Sequence, residues 1–192
     1  GWGGDVGVWG LGFDVAAAKK LLAEAGYPDG KGFPKLELLY NTNELHRVVT
    51  QAVQQMWKDH LGIQVDLVNV EWKVYLARQS SLDYQISRAG WIGDYVDPNT
   101  FLDMWVTGGG NNQTGWSNKR YDDLIARAAC QIVNAKDRMR ALQEAEQILV
   151  VEEAPIMPLF TYVNKGMLSR RVKGWFPNIL DQHPLKYISL ER

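Results

Sequence analysis

Thiols and imidazoles are scarce in this chain. With Cys130 as the only cysteine among 192 residues, neither an intrachain disulfide nor a cysteine-based zinc site can form. Cys130 ends the helical run Leu124–Cys130, where a small buried thiol is expected. The three histidines, His46, His60 and His183, lie far apart in sequence without metal-ligand spacing, so no metal site is expected. No Gly-x-Ser-x-Gly elbow, phosphate loop or dinucleotide fingerprint occurs, and Gly1-Trp2-Gly3-Gly4 lacks the preceding strand that such a fingerprint needs. An excess of either charge is missing too. Lys and Arg number 21 against 22 Asp and Glu, and a net charge of −1 produces no field to gather nucleic acid or an anionic membrane surface. No apolar run approaches the roughly 20 residues of a transmembrane helix. The first residues lack the basic and apolar regions of a secretory signal.

Aromatic residues, by contrast, are plentiful. Eight tryptophans and eight tyrosines suit a surface that grips ligands with apolar bodies and polar ends, although such rings also fill cores. A chain of this length forms one domain and buries roughly 70% of its unfolded surface, so a core without staples is within reach.

The pattern along the chain alternates strands with helices. Asp14 caps a helix through Ala16–Ala25, which Gly26 ends and Pro28 keeps from restarting. Asp29-Gly30-Lys31-Gly32 is a turn, and Lys35–Tyr40 reads as a strand. Thr42 or Asn43 then caps a helix whose Leu45, Val48, Val49, Ala52, Val53, Met56 and Trp57 follow i, i+3, i+4 spacing, predicting one buried stripe up to Gly62. Ile63–Val68 alternates as a strand, Glu71–Gln79 forms a short helix, and Tyr84–Ala89 is the next strand. This β-α-β-α-β order predicts a mostly parallel sheet with right-handed crossovers. After the glycine-rich loop Thr107–Gly115, helices are expected at about 119–133 and 137–151, then a strand over Ile156–Val163 and an irregular remainder.

The segment Arg88-Ala89-Gly90-Trp91-Ile92-Gly93-Asp94-Tyr95-Val96-Asp97-Pro98-Asn99 carries the most chemistry. It sets Asp94 between Trp91 and Tyr95 at the exit of a strand, an arrangement suited to a cationic ligand group. Gly90 and Gly93 give the backbone freedom to turn, and Asp97-Pro98 stops strand pairing. Open α/β sheets bind ligands at the carboxyl ends of their strands.

Four blocks in this order resemble the oligopeptide-binding proteins of bacterial ABC importers, the extracellular solute-binding proteins of family 5. They are Ala23-Glu24-Ala25-Gly26-Tyr27-Pro28, the region from Leu38 to His46 followed by Leu67–Leu76 around Trp72, the Trp91 loop, and Pro158–Asn164. Members of that family are more than twice as long, so the resemblance implies that residues 1–192 are a single carboxyl-terminal ligand-binding lobe. It also implies an α/β, periplasmic-binding-protein-like (type II) fold, with a mostly parallel mixed sheet flanked by helices.

The same resemblance implies roles for individual residues. Asp94 corresponds to the aspartate that pairs with a peptide's free α-ammonium, and Trp91 and Trp72 correspond to tryptophans lining side-chain pockets. Tyr162 and Phe160 lie on the ligand-facing aromatic strand, and Tyr95 flanks Asp94. Arg88 matches an arginine that balances the peptide's carboxylate, and His46 a histidine near the same end. The sequence departs from the pattern at Gln79, where a second arginine is expected and Arg78 falls one position early. The implied partners are a peptide ligand, the membrane permease of an importer and the amino-terminal lobe of the same protein. The implied location is periplasmic or at the cell surface, with the export signal outside this chain. No cofactor, nucleic acid or catalytic residue is expected.

Other readings compete. The wider family carries oligosaccharides, metal chelates and haem, and fold alone does not choose among them. Asp94 with Asp97, or Glu152 with Glu153, could form a glycosidase-like carboxylate pair beside tryptophans. A regulator's effector-binding domain is a third reading, but it needs a DNA-binding module that this sequence does not encode.

Overall fold

The computed structural model describes residues 11–163, 165–178 and 180–191. They divide between two compact units. The first is built from the residues up to Trp91 together with Trp105–Lys119, the second from Ile92–Met104 together with the residues from Arg120 onward.

The first unit is a three-stranded parallel sheet with helical crossovers. Helix α1 spans Val15–Glu24; Asp14 caps it by accepting the Ala17 N–H at 2.9 Å, and Gly26 follows at φ 95°. Strand β1 covers Leu36–Asn41, helix α2 Glu44–Leu61, strand β2 Val65–Val70, helix α3 Trp72–Ser80 and strand β3 Ile86–Ser87. Both neighbours pair with β1 in parallel, giving the order β2-β1-β3. Asn43, one of the two expected caps, accepts the His46 N–H at 3.2 Å, and Gly62 closes α2 in the left-handed region. Gly62 also meets the turn at Pro28–Gly30 backbone to backbone. A Cβ on Gly30 would stand 2.4 Å from the Leu61 carbonyl oxygen, and one on Gly62 would stand 2.6 Å from that of Asp29.

One face of β1 presents Leu38 and Tyr40 to a core with Ile63 and Val65, against which Leu22, Phe33, Val53, Trp57 and Leu61 pack. Leu39, on the other face, is 1% exposed. The seven apolar positions of α2 therefore do not form one buried stripe. Val49, Val53 and Trp57 turn inward, whereas Leu45, Val48, Ala52 and Met56 lie exposed. Seven apolar residues cover too wide an arc of a helix for a single sheet face to bury them all. The third strand is also shorter than Tyr84–Ala89, because only Ile86 and Ser87 pair, with Leu38 and Leu39.

In the second unit, Asn99–Leu102 forms helix α4, Lys119–Cys130 helix α5 and Ala135–Gln147 helix α6, which continues as a π-helical turn over Ile148–Glu152. Leu102, Tyr121, Leu124, Ile125, Ala128, Leu142, Ala145, Ile148, Leu149 and Val150 are buried. The Tyr121 hydroxyl donates to the Leu102 carbonyl at 2.5 Å. Cys130 is exposed rather than buried. It stands two residues past Ala128, a rotation of roughly 200° that carries it off the buried face of α5. A short antiparallel pair, β4 (Val172–Lys173) with β5 (Ser189–Leu190), lies near the end.

The expected strand over Ile156–Val163 is not formed. This stretch belongs to neither sheet among the described residues, and Met157, Leu159, Phe160, Tyr162 and Val163 are exposed. Apolar, β-prone side chains favour extended backbone, but a strand also needs a second backbone to bond. No helix among the described residues is long and apolar enough to cross a membrane.

The contrast between Leu39 and Met56 gives the first prediction. Leu39→Ala leaves a cavity in the sheet and lowers unfolding free energy by about 2–5 kcal/mol, whereas Met56→Ala, at 50% exposure, costs well under that. Chemical denaturation of the two variants checks the ranking; equal losses would mean that the α2 face is buried after all.

Candidate functional site

Parallel pairing sends the carboxyl ends of β1, β2 and β3 to one side of the first unit. Four of the residues singled out from sequence follow these ends. His46 stands in the first turn of α2 after β1, Trp72 is the first residue of α3 after β2, and Arg88 and Trp91 follow β3. His46 is half-buried, and its Nδ1 lies 2.9 Å from Oδ1 of the buried Asn41. Because that oxygen only accepts, Nδ1 carries the hydrogen and Nε2 is left as the acceptor of the neutral ring. Burial holds the His46 pKa below its ordinary value, and the positive charge of Arg88 lowers it further.

Arg88 is anchored by its backbone. Its N–H donates to the Leu39 carbonyl at 2.8 Å, and its own carbonyl accepts the Tyr75 hydroxyl at 2.5 Å. Its guanidinium lies over Gly90, where a Cβ would come within 3.1 Å of Nη2. Trp72 is 51% exposed, and its ring stacks on Tyr75 with centroids 5.4 Å apart. Trp91 has its Nε1 shielded from solvent with no hydrogen-bond partner among the described residues.

The other four residues belong to the second unit. Asp94 and Tyr95 lie on the loop before α4. The Asp94 N–H donates to Thr100 Oγ1 at 3.0 Å, and Thr100 is 1% exposed, so the backbone at Asp94 is tied to a buried hydroxyl. Gly93 sits in a tight place and not at an unusual backbone angle, since a Cβ there would fall 3.1 Å from the Phe101 ring and 3.2 Å from Thr100 Cγ2. Gly90 and Gly93, expected to let the backbone turn, do so without a positive φ at either position. The Tyr95 hydroxyl donates to Asp103 Oδ2 at 3.0 Å and accepts from Asn99 Nδ2 at 3.2 Å; partial burial raises its pKa. Phe160 and Tyr162 sit edge to face, 5.0 Å between centroids, and both are half exposed.

Three carboxylates share the stretch from Gly93 to Met104, and their surroundings differ. Asp97 takes both arms of the Arg138 guanidinium, Oδ2 to Nη1 at 2.7 Å and Oδ1 to Nη2 at 2.8 Å, and also accepts the Asn99 N–H. Asp103 is bonded by Tyr95 and Asn99. Asp94 is exposed, and its carboxylate makes no hydrogen bond or ion pair among the described residues. The Arg138 fork holds the Asp97 carboxyl below the usual carboxylate range. That argues against Asp94 and Asp97 as an acid and base pair, because the general acid of a glycosidase needs a raised pKa. Glu152, for its part, is an ion-pair partner of Arg120 at 3.2 Å.

Sequence reasoning missed Tyr75, Thr100 and Arg138. Arg138 lies 41 residues from the aspartate it binds, and no local pattern joins them. Tyr75 carried a weak signal, since it lies one helical turn beyond Trp72 and a polar ring on the sheet side of a helix needs a buried acceptor.

A parallel sheet with its polar and aromatic residues gathered at the strand ends defines an α/β binding domain. Residues 2–113 match the model of the bacterial extracellular solute-binding proteins, family 5, middle region, and the chain belongs to that family. It is 40% identical over 166 residues to the oligopeptide-binding protein OppA of Bacillus subtilis, covering 84% of this chain and 30% of that protein. It is 38% identical over 175 residues to the dipeptide-binding protein DppE of the same organism, covering 91% and 31%. Among solved structures, the murein tripeptide binding protein MppA of Escherichia coli superposes with a TM-score of 0.78 at 34% identity, over 92% of this chain and 34% of that one. The chain thus spans about a third of the length of the relatives it matches.

Asp97 gives a prediction in pH. Its folded pKa is lowered, so the pair with Arg138 contributes stability that is complete above the unfolded value of about 3.9 and is lost as pH falls through the lower folded value. The difference in unfolding free energy between wild type and Asp97→Asn is therefore flat at neutral pH and shrinks in acid, as denaturation series at several pH values will record. A difference that grows on acidification would mean that the fork is not formed.

Proposed function

We propose that this chain is the ligand-binding lobe of a longer, two-lobed protein of the bacterial periplasm or cell surface. That protein captures peptides and passes them to the membrane permease of an ABC importer, with no chemistry of its own. Asp94 pairs with the peptide's α-ammonium, while Arg88, whose charge acts on His46, balances the carboxylate. Trp72, Trp91, Tyr95, Phe160 and Tyr162 supply apolar surface for side chains.

One observation carries this reading. Of the three carboxylates between Gly93 and Met104, Asp94 alone has a carboxylate with no hydrogen-bond or ion-pair partner among the described residues, on a backbone held by Thr100. A carboxylate without a counter-ion on an anchored backbone suits a ligand cation. The names of the relatives, an oligopeptide- and a dipeptide-binding protein, favour a peptide over an oligosaccharide or a metal chelate. Capture by such two-lobed proteins is hinge closure around the ligand.

Two measurements test this. In the full-length protein, N-acetylated peptides bind more weakly than free ones by ~2–5 kcal/mol, and Asp94→Asn removes most of that difference. Equal affinity for acetylated and free peptides takes Asp94 out of the role. Residues 1–192 by themselves bind peptides only weakly, because an open half-site leaves the ligand's charges in water; a dissociation constant of about 1 μM or tighter for this piece would refute the lobe assignment.

A further inference from the structure

Helix α3 buries two residues, Tyr75 at 3% exposure and Gln79 at 7%, one turn apart on the same face. Both reach the end of β3. The Tyr75 hydroxyl donates to the Arg88 carbonyl at 2.5 Å, and Gln79 Nε2 donates to Ser87 Oγ at 2.9 Å. These bonds matter because β3 is paired through two residues, Ile86 and Ser87, and the ladder to β1 runs on to the Arg88 N–H, which donates to the Leu39 carbonyl. With so short a ladder, side chains of α3 take over the task of fixing where the strand ends and where the Arg88–Trp91 segment begins. The Tyr75 ring has a second contact, its stack on Trp72. One buried side chain therefore touches the ring of Trp72 with its face and the backbone of Arg88 with its hydroxyl.

We propose that Tyr75 is a positioning residue of the solute site, setting Arg88 and Trp72 relative to each other, and that Gln79 holds the strand end through Ser87 as a second tie. The proposal rests on the assignment of Arg88 and Trp72 to the solute made above. Tyr75 is too deeply buried to meet a ligand, so its effect passes through those two residues.

The test compares Tyr75→Phe with Tyr121→Phe in the full-length protein. Each change deletes a buried hydroxyl that donates to a backbone carbonyl at 2.5 Å, and Tyr121 has no part in the proposed site. Titration with a pool of short peptides bearing free termini is expected to show binding weakened about tenfold or more by Tyr75→Phe and by less than about twofold by Tyr121→Phe, while both lower the unfolding midpoint. Amide hydrogen exchange is expected to quicken over residues 88–91 in Tyr75→Phe, with β1 unchanged. Equal affinities in the two variants overturn the proposal. If wild type binds no peptide at all, the peptide reading fails, and the exchange of residues 88–91 then decides the positioning role, quickened exchange supporting it and unchanged exchange refuting it.

Discussion

Parallel pairing on both sides of β1 is the constraint from which the first unit follows. A parallel neighbour cannot be reached by a tight turn, so each connection has to leave the sheet, cross it and return. The chain meets this with α2 between β1 and β2 and with α3 between β2 and β3. Because the strands run the same way, every crossover starts from the same end. The first turn of α2, the first residue of α3 and the exit of β3 are thereby collected at one rim, which is why His46, Trp72 and Arg88, up to 42 positions apart, share a neighbourhood. The backbone gathers these side chains at the rim, whatever their separation in sequence.

In the second unit a similar division of roles appears in polar form. A stretch of about a dozen residues carries Asp94, Asp97 and Asp103, and the surroundings of each set what it does. Asp97 is a structural anion, gripped by a guanidinium that also donates through Nε to the Ala128 carbonyl near the end of α5. Asp103 orders Tyr95 and Asn99. With those two occupied, Asp94 is the carboxylate of the three that stands exposed, its backbone N–H bonded to Thr100.

Local signals were legible and distant ones were not. The caps Asp14 and Asn43 and the terminators Gly26 and Gly62 are readable because a cap is a bond between residues a few positions apart. The β-α-β-α-β order is readable from hydrophobic period, and so is the family from its four blocks. The apolar run of α2 was over-read, because period reports that a face is apolar and not how much of it another surface covers. The run Ile156–Val163 was over-read for a related reason, since composition gives extended backbone without giving the strand it would pair with. Gly93 was assigned to backbone freedom, whereas the structure shows the Phe101 ring crowding the place its side chain would take. Arg138, Thr100 and Tyr75 act across 41, 6 and 13 residues, and only folding makes those pairs neighbours.

The backbone contact between Gly30 and Gly62 has a consequence for how this sequence can drift. Each glycine faces a backbone carbonyl of the other segment, Leu61 for Gly30 and Asp29 for Gly62, in the space a side chain would need, with a left-handed φ as a second reason at both positions. A substitution at one site cannot be relieved by a smaller residue at the other, since nothing smaller exists. Both positions are therefore closed to any side chain whatever residues stand beside them, because what meets them is main chain, which every amino acid shares.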